Sequence, residues 1–307
     1  MEESQTGHTF VSFGGVSRHL EHVDAFASLG GVQRVSGIGT ENDKASTWII
    51  SAKALSEPWT RAIRIGEAMG FRTSIDGLDK VIRTEITPPK VVLVTGPPGS
   101  MKTSFCYTLM SRYLKDTGEF GLYTTLEETV QSHLRNMESL GVELSMNMQI
   151  SDFTDLREID AVVGPEDQTD YLAFIERMIG HYRKVHGHKF KMFALDSLGA
   201  LYSLMETSDN MRKRMFYFFK MLRDNNLICL VVMERSLGGE SQLLGNEGFL
   251  TDGIILLGLD RSHGKLVRYL QIEKMRSVDH SMEKHAIEPR KGGLTVLGPI
   301  FETGGPG

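Results

Sequence analysis

The sequence predicts an α/β protein with a largely parallel sheet, helices on both sides of it, and antiparallel strands near the C-terminus. From Thr73 onward, short apolar runs alternate with longer amphipathic segments, which is typical of β–α units. The runs are apolar on both faces, as expected for parallel strands covered by helices. After residue 250 the helical segments stop and turn residues separate the apolar runs, which predicts hairpins.

Each element is predicted from one segment of this pattern. The strands of the parallel part are predicted at KVVLVTG (90–96), GLYTTLEE (121–128), MQISDF (148–153), KFKMFALDS (189–197) and LICLVVME (227–234). Helices are predicted between them at 101–118, 129–141, 170–185 and 209–226. The C-terminal strands are predicted at GIILLGLD (253–260), LVRYLQIEKM (266–275), HAIEP (285–289) and GGLTVL (292–297).

Composition and charge limit the class of protein. The 307 residues carry a net charge of −5, which gives no general attraction to nucleic acid or anionic lipid. The two cysteines, Cys106 and Cys229, lie in apolar segments, which favours a reducing compartment over a disulfide framework. No run has the length of a transmembrane helix, and the polar start MEESQTGHTF is unlike a signal peptide. We therefore expect a soluble, cytoplasmic protein without membrane insertion.

The composition changes near residue 72. The first part of the chain is rich in Gly, Ser and His, and EPWTRAIRIGEAMG (57–70) predicts a helix that ends at Gly70. We interpret residues 1–72 as a partly ordered N-terminal extension and residues 73–307 as the functional domain. The sequence indicates no role for the extension.

A glycine-rich segment, GPPGSMKT (96–103), lies between the first apolar run and a predicted helix. It nearly matches the pattern G-x-x-x-x-G-K-[ST], in which N–H groups at a helix N-terminus contact phosphate oxygens. Lys102 is expected to reach the β- and γ-phosphates, and the Thr103 hydroxyl to ligate Mg²⁺. The candidate nucleotide-binding residues are Gly96, Pro97, Pro98, Gly99, Ser100, Met101, Lys102, Thr103 and Ser104.

Met101 occupies a position that the pattern gives to glycine. A positive φ at a non-glycine residue costs about 1–2 kcal/mol, whereas micromolar binding is worth about 8 kcal/mol. Because methionine is unbranched and flexible, its side chain can leave the path of the phosphates. We expect a working loop that is weakened or rigidified. The alternative is a Gly-Pro turn, or a relic that binds no nucleotide.

Carboxylates follow the strands that we expect beside this segment. Glu127 and Glu128 end the strand predicted at 121–128, where a carboxylate can orient and deprotonate the attacking water. We favour Glu127, because adjacent side chains of a strand point to opposite faces; the alternative is a solvated pair at a helix start. Asp196 lies at the end of the buried apolar strand predicted at 189–197. This is the arrangement of an acid that holds Mg²⁺ through its water shell. A helix N-cap, formed by Asp196 or Ser197, is compatible with that role.

Three further segments have weaker signals. Glu234 and Arg235 end an apolar run at the same predicted sheet edge, and a surface ion pair is the alternative there. HYRKVHGHKFK (181–191) is basic and rich in His, and we interpret it as a solvated helix end without metal-ligand spacing. FYFF (216–219) is interpreted as a helix face in the core.

These motifs together resemble the KaiC family of RecA-superfamily ATPases. The matching segments follow in the family's order over about residues 73–300, and they are SIDGLDKVI, GPPGSMKT, LYTTLEET, HLRNMESLG, FALDS, MERS, EGFLTDGIILL and LQIEKMRSVDHS. The resemblance is specific because the motifs are both ordered and spaced as in the family.

The resemblance implies a RecA-like P-loop core that binds ATP with Mg²⁺ at residues 96–103. The family's paired catalytic glutamates match Glu127 and Glu128, and its Walker B acid matches Asp196. Cationic side chains of the family reach the nucleotide of a neighbouring subunit and stabilise charge on the transferred phosphoryl. Their positions match Lys274, Arg276 and His280. The resemblance therefore implies a homo-oligomer, a hexameric ring, as part of the active site.

The chain also departs from the family. It has one such domain where the family's clock protein has two, and Ser277 replaces the glycine of the last motif. Gly248 and Phe249 stand where that protein has adjacent Ser and Thr, which argues against autokinase activity.

We expect an ATP-hydrolysing switch protein that acts as a ring and contacts an unidentified protein partner. One alternative is a non-hydrolysing adaptor that holds ATP as a structural clamp. Another is a recombinase-like DNA-binding ATPase, but the acidic balance and the short link between Glu234 and Gly253 argue against nucleic acid as a partner.

Overall fold

The computed structural model describes residues 70–154, 170–205, 211–235, 247–262 and 265–300. Its strands are β1 (Lys90–Gly96), β2 (Phe120–Thr125), β3 (Met148–Asp152), β4 (Phe190–Asp196), β5 (Ile228–Glu234), β6 (Gly253–Ser262), β7 (Lys265–Met275), β8 (His285–Arg290) and β9 (Gly293–Pro299). Its α-helices are α1 (Leu78–Val81), α2 (Lys102–Thr117), α3 (Val130–Ser139), α4 (Tyr171–His186), α5 (Leu198–Leu204), α6 (Met211–Asp224) and α7 (Glu247–Leu250). The helix predicted at 57–70 lies outside these residues except for Gly70.

The strands form one nine-stranded sheet in the order β3-β2-β4-β5-β1-β6-β7-β8-β9. Every pairing from β3 to β6 is parallel, and every pairing from β6 to β9 is antiparallel. The predicted α/β class, with a mostly parallel sheet and antiparallel C-terminal strands, is therefore confirmed. The strand at the junction is β6, which pairs parallel with β1 on one side and antiparallel with β7 on the other.

Helices cover the two faces of the sheet with separate cores. Side chains alternate along β1, so that Val92 and Val94 enter one core and Val91 and Leu93 enter the other. The first core contains the buried sides of α1, α2 and α3, and the second contains those of α4, α5 and α6. This pattern explains why the parallel strands are apolar at nearly every position.

The interpretation of FYFF (216–219) as a core face is wrong for half of the segment. Phe218 and Phe219 are buried, but Phe216 is 52% and Tyr217 57% exposed. Successive residues of an α-helix are rotated by about 100°, so four aromatic residues in a row cannot share one buried face.

The described part of the chain offers neither a membrane span nor a cluster of metal ligands. No helix there is long and apolar enough to cross a bilayer. No group of three or more His, Cys, Asp or Glu side chains is arranged there to hold a metal ion. The His-rich segment at 181–191 contributes a packing contact instead, because the His186 ring stacks on Phe120 with centroids 3.6 Å apart.

The register of the parallel strands brings the predicted site residues to one edge. Gly96 pairs with Glu234, and Thr125 pairs with Asp196, so β1, β5, β4 and β2 all end there. Because this edge carries the carboxyl ends of the parallel strands, it is where ligands of such sheets bind.

Candidate functional site

The glycine-rich loop leads from β1 directly into α2, and Gly96, Gly99 and Met101 in it all have positive φ. Met101 has φ 73° and ψ 32°, in the left-handed region, and it is the N-cap of α2. Its half-buried side chain packs against the core beneath α2, so the thioether lies against apolar groups. Gly96 is the position where close approach excludes a side chain, because an added Cβ would lie 1.9 Å from the Leu257 carbonyl oxygen.

Polar groups of this loop suit a phosphate ligand. The first N–H groups of any helix have no intrahelical acceptor, and those of α2 begin at Lys102. The Ser100 hydroxyl is fully buried and has no hydrogen-bond partner among the residues that the structure describes. A buried hydroxyl of this kind is normally paired, and a phosphate oxygen would supply the acceptor. The loop therefore fits the nucleotide predicted for it.

Lys102 is the buried cation of the loop. It is 8% exposed and donates a hydrogen bond to the Pro97 carbonyl oxygen over 3.1 Å. Its Nζ also lies 3.8 Å from Oε1 of Glu234. Burial lowers the pKa of Lys102, and the carboxylates of Glu234, Asp196 and Glu127 act in the opposite direction. Three acidic groups thus surround one ammonium group.

Asp196 lies at the end of β4, 5% exposed. Its Oδ2 accepts a hydrogen bond of 2.7 Å from the Tyr123 hydroxyl. Burial raises the pKa of Asp196, while its hydrogen bonds with Tyr123 and with the Thr103 side chain counteract that rise. Because Mg²⁺ prefers one or two carboxylates together with hydroxyl, water and phosphate oxygens, Asp196 and Thr103 fit the predicted metal-binding roles. Ser197 caps α5 through Ala200 N–H, as the alternative reading allowed.

The two glutamates diverge, although not for the predicted reason. The strand β2 ends at Thr125, so Glu127 and Glu128 lie on the following loop and strand alternation does not apply to them. Glu127 is exposed and accepts a hydrogen bond from the Ser197 hydroxyl.

Glu128 is held by three side chains of α3. Its carboxylate contacts His133 Nδ1 at 2.8 Å and accepts hydrogen bonds from Ser132 (3.0 Å) and Asn136 (2.8 Å). His133 is fully buried between the rings of Tyr107 and Tyr123. The preference for Glu127 stays a prediction, but its carboxylate is the less constrained of the two.

Glu234 and Arg235 do not pair with each other. Glu234 is on the face of the sheet that carries α2, where it meets Lys102. Arg235 points to the opposite face and binds both carboxylate oxygens of Glu273, at 2.9 and 3.2 Å. The alternative of a mutual surface ion pair is therefore wrong, since the strand geometry separates neighbouring side chains.

Of the three predicted cationic positions, the backbone of Arg276 lies at the far end of β1 from the loop. Lys90, at the start of β1, donates a hydrogen bond to the Arg276 carbonyl oxygen over 2.9 Å, whereas the loop follows the end of β1. Seven strand residues span about 20 Å, so the Arg276 backbone is about one strand length from the loop of its own chain. Lys274 pairs with Ile254, which pairs with Leu93 in the middle of β1.

Their individual contacts differ. Lys274 donates to the carbonyl oxygens of Gly248 (2.7 Å) and Thr251 (2.6 Å), and burial lowers its pKa. Arg276 is 55% exposed, with one ion pair of 3.5 Å to Asp252. The His280 ring contacts the Val278 carbonyl oxygen at 2.8 Å.

Sequence reasoning missed three residues of this region. Arg268 on β7 donates to the Gly99 carbonyl oxygen over 3.1 Å, and Tyr123 and His133 form the buried contacts of Asp196 and Glu128 described above. Tyr123 and His133 lie within the segments LYTTLEET and HLRNMESLG but were given no role there, and Arg268 lies outside the matching segments. The alternation of β2 places Tyr123 on one face, but its partner depends on the β2–β4 pairing, which the sequence does not show.

Comparisons with known proteins show the family of this chain. The family model described as "ATPase: KaiC" matches residues 71–299. A UPF0273 protein of Methanopyrus kandleri is 30% identical over 235 residues, which are 73% of this chain and 90% of that protein. A UPF0273 protein of Pyrococcus horikoshii is 29% identical over 236 residues, which are 73% of this chain and 92% of that protein.

The circadian clock oscillator protein KaiC of Synechococcus elongatus is 25% identical over 233 residues, 74% of this chain but 44% of the clock protein. A solved KaiC-like protein of Pyrococcus horikoshii shares the fold, with a TM-score of 0.61 and 24% identity, over 73% of this chain and 97% of that one. The family model matches most of the length of this chain, and the edge of the sheet around residues 96–103 has the geometry described above. The chain therefore belongs to the KaiC-like ATPase family of the RecA superfamily.

Proposed function

We propose that this protein binds ATP with Mg²⁺ at residues 96–103, hydrolyses it slowly, and changes its contacts with a partner protein according to the nucleotide state. The observation that supports this most is the backbone of Met101. Its left-handed conformation starts α2 directly before Lys102, and its side chain packs against the core, which supports a phosphate site at the N-terminus of this helix.

Roles in hydrolysis follow from the contacts. Glu127 orients the attacking water, and the Ser197 hydroxyl holds the Glu127 carboxylate in place. Lys102 and the amide groups at the start of α2 bind the phosphate oxygens. Asp196, oriented by Tyr123, and Thr103 are the residues that would hold Mg²⁺. That cation supplies charge neutralisation of the leaving phosphate oxygens.

A ring of identical subunits completes the proposed site. Arg276 starts about one strand length from the loop of its own chain, so its proposed role requires a second copy, and we assign Lys274 and His280 to the same shared site. Arg276 is the most available of them, because it is exposed and its one described ion pair is long. Its guanidinium group can form paired hydrogen bonds with a phosphate of the nucleotide that is bound to a neighbouring chain.

One experiment tests binding, assembly and turnover together. Calorimetry with Mg-ATP, on protein confirmed free of carried-over nucleotide, measures binding. Light scattering with and without Mg-ATP measures the mass of the assembly, and phosphate release measures turnover. No heat at millimolar Mg-ATP would falsify the proposed function.

The alternative of a non-hydrolysing adaptor has one observation in its favour. Lys274, one of the proposed cationic groups, is bound to two carbonyl oxygens of its own chain. Tight ATP retention without phosphate release, in an assembled ring, would be the result expected for such an adaptor.

A further inference from the structure

Glu234 is the acidic residue of the site to which the proposed function assigns no role. It is the last residue of β5 and pairs directly with Gly96, the first residue of the phosphate loop. Strand alternation places its side chain on the α2 face, beside Lys102. It is therefore built into the edge where the phosphates are expected to lie.

Among the described residues, Glu234 is the carboxylate that forms an ion pair with Lys102. The Nζ–Oε1 distance of 3.8 Å is too long for a hydrogen bond, so the contact is electrostatic. The partners differ in exposure, 8% for Lys102 and 57% for Glu234. Lys102 is thus fixed by its surroundings, while the Glu234 side chain has room to turn towards solvent.

A polyphosphate that binds Lys102 lies close to Glu234 as long as Glu234 keeps its observed side-chain position. A phosphate oxygen bound to an ammonium group lies about 2.8 Å from its nitrogen. With Glu234 3.8 Å from the same nitrogen, the two anions are no more than about 7 Å apart. That is less than the distance over which salt screens charges at physiological ionic strength, so the carboxylate and the phosphate repel each other.

We propose that Glu234 competes internally for Lys102: it pairs with the ammonium group and disfavours any polyphosphate that arrives without a divalent cation. This rests on the proposed function, because it assumes that nucleotide binds at this loop. It makes Glu234 a specificity-determining residue, which sets how strongly binding depends on Mg²⁺ and on the number of phosphates.

The test compares the wild-type chain with Glu234→Gln by calorimetry, using ATP, ADP and AMP in excess EDTA and then in Mg²⁺. We expect Glu234→Gln to bind ATP about three- to tenfold more tightly in EDTA, because one repulsive charge is removed. The gain should shrink in Mg²⁺ and at high salt. AMP affinity should not change, since the lysine of a P-loop reaches the β- and γ-phosphates.

Glu273→Gln is the matched control. It removes the same charge from a half-buried carboxylate that is paired with Arg235 on the opposite face of the sheet, so ATP affinity should stay within about twofold of wild type. Glu234→Ala should shift ATP affinity in the same direction as Glu234→Gln. It replaces Glu234→Gln in the test if the amide variant does not fold.

The possible results separate the two proposals. If the wild-type chain binds ATP and Glu234→Gln binds it equally or more weakly in EDTA, the inference about Glu234 is overturned while the proposed function stands. If the wild-type chain binds no nucleotide under any condition, the proposed function is overturned.

Discussion

At the scale of single residues, one edge of the sheet combines a strained backbone with a buried charge. Met101 is in the left-handed region, which costs a non-glycine residue about 1 kcal/mol or more. Asp196 is a carboxylate with almost no contact with water. Neither feature serves stability by itself, and both are typical of sites where function selects the geometry.

The substitution Asp196→Asn is expected to raise stability while removing metal-dependent nucleotide binding. Burial raises the pKa of Asp196 above its ordinary 3.8, so at pH 7 the folded state holds an ionised carboxylate that is better solvated in the unfolded chain. The neutral amide avoids that cost. The stabilisation should be largest at neutral pH and should disappear as the pH falls through the raised pKa and then below 3.8, where the carboxyl is protonated in both states.

Thermal unfolding at pH 7 and at acidic pH measures this difference, and calorimetry with Mg-ATP measures the loss of binding. A variant that is less stable than wild type at pH 7 would contradict the argument.

At the scale of elements, the two adjacent glutamates on the loop between β2 and α3 have different hydrogen-bond partners. Glu127 contacts Ser197 at the start of α5, whereas Glu128 is bound by His133 and two further side chains of α3. The first therefore faces the proposed site, and the second fixes the helix to the loop.

Single substitutions should separate these tasks. Glu127→Gln is expected to reduce turnover about 100-fold or more, because it removes the group that positions and deprotonates water, with little change in unfolding free energy. Glu128→Gln weakens three hydrogen bonds and should destabilise the fold by about 1–2 kcal/mol. Phosphate release and chemical unfolding of both variants provide the comparison. Equal loss of turnover in both, with equal stability, would show that the pair acts as one unit.

The sequence predicted local structure better than contacts. It located β1 at its observed limits and α2 within one residue, because apolar runs and a C-terminal glycine mark such elements clearly. It placed the glutamates on β2, since nothing in LYTTLEE indicates that the strand ends at Thr125. It also missed Arg268 and the partner of Tyr123, because these contacts join strands that are distant in sequence.

At the scale of the whole molecule, the phosphate loop and the Arg276 backbone lie at opposite ends of β1. A site made of both the phosphate loop and Arg276 would therefore need residues from two copies of the chain. This arrangement supports a shared site between copies, and the extent of sharing can be measured directly.

Mixing two inactive variants tests whether the site is shared. Lys102→Ala should remove nucleotide binding from its own chain, and Arg276→Ala should remove the cationic group offered to a neighbour. Each alone is expected to be inactive. In mixed assemblies, an Arg276→Ala chain beside a Lys102→Ala chain has an intact site between them, so phosphate release should recover partly. No recovery, in mixtures shown to exchange subunits, would indicate that Arg276 acts within its own chain.

The thioether beside the phosphate loop has a chemical consequence. Oxidation converts methionine into a polar sulfoxide that packs poorly against apolar groups, and Met101 lies half-buried against such a core. Mild peroxide treatment should therefore weaken ATP binding, and methionine sulfoxide reductase should restore it. A Met101→Leu chain retains an apolar side chain without sulfur and should resist the treatment, whereas equal loss in both would place the damage at other methionines. By replacing the expected glycine, this chain has acquired an oxidant-sensitive atom at its nucleotide site.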